Sequence, residues 1–163
     1  MAEGTKKSVL FICLGNICRS PMAHAVFEQK AKERGLLDKL YVDSAAMIDY
    51  HVGKGLHERT QRCLATHGLP DFHHTVRQCS PKDLETFDIV LGMDDENMAD
   101  LKRLASKRKK VKAELRLFGE FDPQKESLEI VDPYYQTGLQ PFHDIYVQIQ
   151  RCSEGLLDYL LPK

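Results

Sequence analysis

Nine consecutive residues, Cys13-Leu14-Gly15-Asn16-Ile17-Cys18-Arg19-Ser20-Pro21, hold the types that phosphate chemistry needs. A thiol and a guanidinium are separated by five residues. Backbone amides of a tight loop of that length can curl around an oxyanion. A helix starting behind the loop adds its positive end. Arg19 supplies a planar fork that matches two phosphate oxygens. Gly15 tolerates the positive φ that a curled loop demands, and Asn16 tolerates it better than most residues. The amides of Leu14, Gly15, Asn16, Ile17, Cys18 and Arg19 then form an electropositive cup with Cys13 at its base. Such surroundings favour an anionic sulfur over a thiol. A phosphate ester seated there meets a nucleophile set for in-line attack, and the product is a phosphocysteine. The hydroxyl of Ser20 is near enough in sequence to donate to the sulfur. The loop lacks the GxxxxGK[ST] pattern, so it is not an ATP-type phosphate loop.

The surrounding pattern supplies a strand before the loop and a helix after it. Ser8–Cys13 is an apolar run that reads as a buried strand. Ser20-Pro21 reads as a cap and first helical residue, with the helix continuing to Gly35. Leu40–Ala46 reads as a second strand, Leu56–His67 as a helix ending at Gly68, and His74–Cys79 as a brief strand. Ser80-Pro81 starts a short helix, Asp88–Met93 is a third strand, and Asp94-Asp95 open a helix burying Met98, Leu101 and Leu104. Val111–Phe118 contains a fourth strand, 119–140 reads as loop, and Phe142–Leu160 is an amphipathic helix. Strands alternating with helices predict one doubly wound α/β domain over 1–163. Its four parallel strands have helices on both faces, and its ligand site lies at the strands' carboxyl ends.

Composition narrows the function classes. The chain has 163 residues, 42% hydrophobic and 29% charged, with a formal net charge of −1. That balance argues against a general nucleic-acid binder, which must neutralise many phosphates. No apolar run approaches a membrane span, and the N-terminal stretch is too short for a signal-peptide core, so a cytoplasmic protein is expected. Five cysteines in such a chain read as reduced thiols. No CxxC is present. Cys63 and His67 could share a helix face at i and i+4, but no second ligand pair is visible, so neither metal nor cofactor is expected. The basic run Lys107–Lys110 with Lys112 reads as a solvated surface.

The stretch VLFICLGNICRSP resembles the signature of the low-molecular-weight protein tyrosine phosphatases. The family's order also holds at Val42–Ala46 (VDSAA), His67–Pro70 (HGLP), Phe87–Asp94 (FDIVLGMD), Phe121–Lys125 (FDPQK) and Val131–Tyr135 (VDPYY). The resemblance implies hydrolysis of phosphotyrosyl proteins and small aryl phosphates, releasing inorganic phosphate; a monomer is expected. It implies that Asp132 is the general acid and base, a role composition alone does not assign, since Asp122 also precedes a proline. It implies that Tyr134 and Tyr135, with Tyr50 opposite, flank the mouth, where flat rings suit a phosphotyrosyl ring. It implies that Asn16, Ser20, Ser44 and His74 brace the loop, His74 being chosen over His73 by its spacing to Arg77-Gln78. It also implies that Cys18 traps an oxidised Cys13 as a reversible disulfide.

The segment Met47–Thr60 departs from the family. Met47-Ile48-Asp49 is bulkier, Lys54-Gly55-Leu56 replaces prolines, and His57 stands where an Asp is expected, while Arg59 is retained. Extra His and Lys at the mouth predict a preference for acidic phosphopeptides. Two rivals fit less well. An arsenate reductase needs two further cysteines close together, and Cys63 and Cys79 lie sixteen positions apart. A catalytically dead phosphate-binding module predicts loss of Cys13, Arg19 or the acid, and all three are present.

Overall fold

The computed structural model describes residues 6–125 and 127–162. The reading of the N-terminal stretch falls partly on 1–5, outside those residues, as do both ends of the 1–163 domain range. Strand β1 (Lys7–Cys13) lies centrally in a four-stranded sheet with β2 (Leu40–Ala46), β3 (Ile89–Gly92) and β4 (Glu114–Leu117), in the order β2-β1-β3-β4. All pairs are parallel, with Cys13 level with Ala46 and Ile12 level with Gly92. Parallel strands require crossovers, and helices provide them. They are α1 (Arg19–Glu33), α2 (Glu58–Thr66), α3 (Pro81–Thr86), α4 (Asp95–Ser106) and α5 (Gln140–Leu160).

The alternating side chains of β1 divide the core in two. Val9, Phe11 and Cys13 pack with α1, α2 and α5, where Phe11 meets Phe27 and Phe118 edge-on. Leu10 and Ile12 pack with Leu84 of α3 and Met98 and Leu101 of α4. The expected four-stranded doubly wound sheet is therefore present, with helices on both faces. Burial of β1 on both sides explains its unbroken apolar run.

Local differences from the sequence reading have physical causes. Helix α1 begins at Arg19, before Ser20-Pro21, and Cys18 at its N-cap gives no side-chain cap. Ser20 does not cap because its hydroxyl faces Cys13 and Asn16. His74–Cys79 forms no strand; only an isolated bridge joins Gln78 to Ala46, so the segment fastens the end of β2 without extending the sheet. Helix α2 starts at Glu58 with His57 as its cap, later than expected. Leu104 is half-buried, whereas Met98 and Leu101 are buried. Helix α3 does carry the expected start, with a capping box between Ser80 and Asp83 and Pro81 in the first turn. No helix among the described residues is long and apolar enough to cross a membrane.

Candidate active site

The loop from Cys13 to Arg19 joins β1 to α1 at the carboxyl end of the sheet. Four of its carbonyls are occupied on the side away from the cup's thiol. Cys13 and Leu14 accept from Met47, Leu14 also from Ile48, and Cys18 accepts from Met22. Ile17 accepts from the His57 amide and from the Thr60 hydroxyl at 2.9 Å. Outward carbonyls turn the amides inward. Only the Asn16 amide meets a protein acceptor there, Cys13 Sγ at 3.2 Å. Among the described residues, the amides of Gly15, Ile17 and Cys18 have none. The cup thus combines unsatisfied donors with the uncapped start of α1, an anion site in both respects.

The backbone of the cup uses its two special residues differently from the sequence reading. Asn16 takes the positive φ, at 58°, and Gly15 does not. A Cβ at Gly15 would stand 3.0 Å from the His51 ring, which would have to shift to admit it. Asn16 is fully buried, and its side chain fixes both ends of a chain of polar groups. Its amide donates to Ser20 Oγ at 2.7 Å, which leaves the Ser20 hydroxyl hydrogen for Cys13 Sγ at 3.0 Å. Its carbonyl oxygen meets His74 Nε2 at 2.8 Å, and that nitrogen also lies 3.3 Å from Ser44 Oγ. His24, which the sequence reading missed, continues the chain to Ser44 at 3.2 Å. The four residues expected to brace the loop are therefore joined in one network. His73, the rejected neighbour, is exposed. Burial, reinforced by His24, pushes the His74 pKa below its ordinary value despite nearby Asp43.

Arg19 is 3% exposed and anchored on one side only. Its Nη1 donates to Asp94 Oδ2 at 2.7 Å and to the Ile130 carbonyl at 2.8 Å. Its Nη2 lies 3.5 Å from Asp132 Oδ2. Burial works against its charge, but Cys13, Asp94 and Asp132 outweigh it and hold the guanidinium above its ordinary pKa. Neither Asp94 nor the Ile130 carbonyl was foreseen as a site group.

Asp132, Tyr134 and Tyr135 line one cleft together with Tyr50, His51, Ile48 and the loop. Cys13, Arg19 and Cys18 line its floor. Tyr50 and Tyr135 are 74% and 77% exposed, so their rings are available at the rim. Asp132 is half-buried and accepts from the Tyr134 amide at 3.0 Å, which fixes the turn that carries it. The competing Asp122 is fully buried and bound by Arg151 through contacts of 3.1 to 3.2 Å. It is a structural carboxylate. Cys18 is buried, and burial pushes its thiol up to about 12.

The divergent segment also has a structural account. His57 Nδ1 accepts the Arg59 amide at 3.1 Å, so histidine replaces a carboxylate as the cap of α2. That role needs a lone pair, and burial together with Arg59 lowers the His57 pKa. Arg59 donates to the carbonyls of Gln136, Gly138 and Tyr134 at 2.6, 3.1 and 2.8 Å. It lies over the Phe142 ring at 4.6 Å, so α2 holds the loop bearing Asp132. Nothing in the sequence pattern signalled that clamp.

Residues 8–163 match the family model described as low molecular weight phosphotyrosine protein phosphatase. The chain belongs to that family. A human low molecular weight phosphotyrosine protein phosphatase is 44% identical over 158 residues, covering 97% of this chain and 98% of its own. The crystal structure of Primo-1 superposes with a TM-score of 0.89 at 40% identity, covering 95% of this chain and 99% of that one. The structure of DARP, a Drosophila arginine phosphatase, superposes with a TM-score of 0.87 at 35% identity, covering 94% and 97%. The low-molecular-weight phosphatase fold and the cup at the end of β1 thus agree with the resemblance in the motifs.

Proposed function

We propose that this phosphatase hydrolyses phosphotyrosine in proteins, and small aryl phosphates, through a phosphocysteine intermediate. The observation that carries the reading is the position of Cys13 Sγ. It sits at the base of the loop amides, 3.0 Å from the Ser20 hydroxyl, in one cleft with the paired Arg19 and Asp132.

The Arg19 anchor to Asp94 and Ile130 leaves its Nε and Nη2 edge for two phosphate oxygens. The loop amides take the remaining oxygens. The Cys13 thiolate attacks phosphorus, and the P–O bond to the tyrosyl oxygen breaks. Asp132, protonated, gives its proton to that oxygen. Asp132, now a carboxylate, then removes a proton from water as the water attacks the phosphocysteine. The P–S bond breaks, thiolate re-forms, and inorganic phosphate leaves. Charge on phosphorus is met by the guanidinium and the amides, so the cycle calls on no metal. The tyrosyl rings at the rim favour a flat aromatic ester, whose length reaches the floor of the cleft.

Further readings follow from this one. The chain acts as a single-domain monomer over 1–163 in the cytoplasm. Cys18 resolves an oxidised Cys13 as a disulfide, so Cys18→Ser recovers less activity on thiol treatment after mild peroxide. Equal recovery would overturn that role. The mouth prefers acidic phosphopeptides through Lys54 at neutral pH. The pKa values of His51 and His57 are lowered by burial and by Lys54 and Arg59 respectively, so they contribute charge only in acid.

The test is hydrolysis of p-nitrophenyl phosphate at mildly acidic pH with EDTA. Turnover in the wild type and none in Cys13→Ser is expected, as is a larger loss in Asp132→Asn on poor leaving groups than on good ones. Phosphotyrosyl and phosphoarginyl peptides are compared in the same assay, because a relative of similar fold is an arginine phosphatase. No turnover by fresh reduced enzyme would leave a phosphate-binding module as the reading.

A further inference from the structure

Helices α2 and α5 pack together, and their contact gathers three metal-ligating side chains. Cys63 lies on α2, His67 is the residue that caps its C-terminus one turn later, and His143 lies in the first turn of α5. His143 Nδ1 is 3.6 Å from Cys63 Sγ and 2.9 Å from His67 Nε2. All three donor atoms lie within 4.8 Å of one another. A tetrahedral zinc ion with Zn–N near 2.0–2.1 Å and Zn–S near 2.3 Å separates such donors by about 3.3–3.6 Å. The two separations from His143, 3.6 and 2.9 Å, lie close to that spacing, and the third pair is within reach of it at under 4.8 Å. Cys63 is fully buried, His143 half-buried and His67 exposed, so the sulfur is shielded while the outer side opens to water. The His67 ring is stacked on Tyr146, with centroids 3.7 Å apart and planes 12° apart, which fixes its orientation.

We propose that Cys63, His67 and His143 form a binding site for a borderline-soft divalent cation, Zn²⁺ foremost, with its fourth position open to water. One thiolate and two imidazoles are the donor set that selects such an ion over Mg²⁺ or Ca²⁺. The ion displaces the Cys63 proton and replaces the direct His67–His143 contact with two coordinate bonds. It cross-links α2 to α5 beside the loop that Arg59 already ties to α2. The other cluster of this kind, His24, Asp43 and His74, is engaged in the network around Ser44 and Asn16. The site is independent of the phosphatase cycle, and its test does not read activity.

The experiment uses metal-free, reduced full-length protein carrying Cys13→Ser, so that the thiol in the cup does not compete. Titration with Co²⁺ should give a thiolate-to-cobalt charge-transfer band and tetrahedral d–d bands saturating at one equivalent, and Zn²⁺ should abolish them. Cys63→Ser should remove the charge-transfer band. His143→Gln should weaken Zn²⁺ binding tenfold or more. Zn²⁺ should also raise the melting temperature of the parent but not of His143→Gln. His143 is only half-buried, so that variant keeps the fold, to be verified by its melting temperature in EDTA. The proposal is overturned by absence of saturable binding, by a full charge-transfer band in Cys63→Ser, or by unchanged Zn²⁺ affinity in His143→Gln.

Discussion

Asn16 is the residue on which the geometry of the cup most depends, and substitutions there separate its two functions. Its backbone holds φ at 58°, and its buried side chain donates to Ser20 and accepts from His74. Asn16→Ala removes both hydrogen bonds, at about 1 kcal/mol each, because Ser20 and His74 keep their contacts to Cys13 and Ser44. It also places a residue with a poor left-handed preference at positive φ, at a further ~1 kcal/mol. Asn16→Gly loses the same bonds but not the conformational term. The alanine variant should therefore be destabilised by about 3 kcal/mol and the glycine variant by about 2, a difference readable as urea midpoints on a common slope of roughly 2 kcal/mol/M. Asn16→Asp keeps the acceptor and tolerates the φ, but adds a negative charge to the cup. It should be more stable than the alanine variant yet bind inorganic phosphate worst of the three. An alanine variant as stable as glycine would show that φ is not a constraint. An aspartate variant binding phosphate as well as glycine would show that the cup's charge is not what holds the anion.

The clamp formed by Arg59 should act on turnover more than on phosphate binding. Arg59→Ala removes three carbonyl contacts to the loop carrying Asp132 and should lower kcat about tenfold, near 1.4 kcal/mol, with product inhibition by phosphate little changed; equal losses in both would refute the clamp. At Gly155 in α5, a Cβ would stand 1.8 Å from the Phe121 carbonyl oxygen. The ~1 kcal/mol that alanine normally brings to a helix interior should reverse to a net loss of about 2 kcal/mol in Gly155→Ala, and a stabilised variant in urea melts would contradict the packing. His74 has a folded pKa pushed down by burial and His24, so below about pH 6.5 the unfolded chain takes up a proton that the folded chain resists. Stability should accordingly fall as pH drops through that window, less steeply in His74→Gln, and identical urea-midpoint shifts between pH 7.5 and 5.5 would exclude this linkage.

Much of the fold is written in short-range patterns. The apolar run of β1, the alternation in Leu40–Ala46 and the Ser80-Pro81-x-Asp83 start of α3 all appear where local chemistry puts them. The cup was legible too, because Cys13 and Arg19 lie in one loop and spacing alone places them together. What was hidden depends on distant partners. Asp94 and the Ile130 carbonyl meet Arg19 from 75 and 111 positions away. The choice between Asp132 and Asp122 needed the family, since both are Asp-Pro turns; in space Arg151 engages one and Arg19 meets the other. His143 is invisible as a companion of Cys63 and His67 until α5 is laid against α2. The missing strand at His74–Cys79 shows the same limit. Its residues have strand composition, but they are used to hold Asn16 and the end of β2.

The misplaced start of α1 leads to a final prediction. Ser20 followed by Pro21 is a good local cap, yet the helix begins two residues earlier and Ser20 turns to the sulfur. The helix therefore forgoes a cap of about 1 kcal/mol, and the loop keeps amides without protein acceptors. An oxyanion in the cup supplies what the cap does not. Bound phosphate should act as the missing N-terminal partner, and folding stability should rise with its concentration. At a hundredfold excess over Kd the gain is about 2.7 kcal/mol, and a chain of this size should melt roughly 5–10 °C higher. Cys13→Ser should retain the shift, because the amides and Arg19 remain. Arg19→Lys should lose most of it, since a single ammonium cannot reproduce the fork or the anchor to Asp94 and Ile130. Chloride at equal ionic strength should give no comparable shift. An equal shift with chloride, or an undiminished one in Arg19→Lys, would mean that phosphate acts by general screening and that the cup is not the anion's seat.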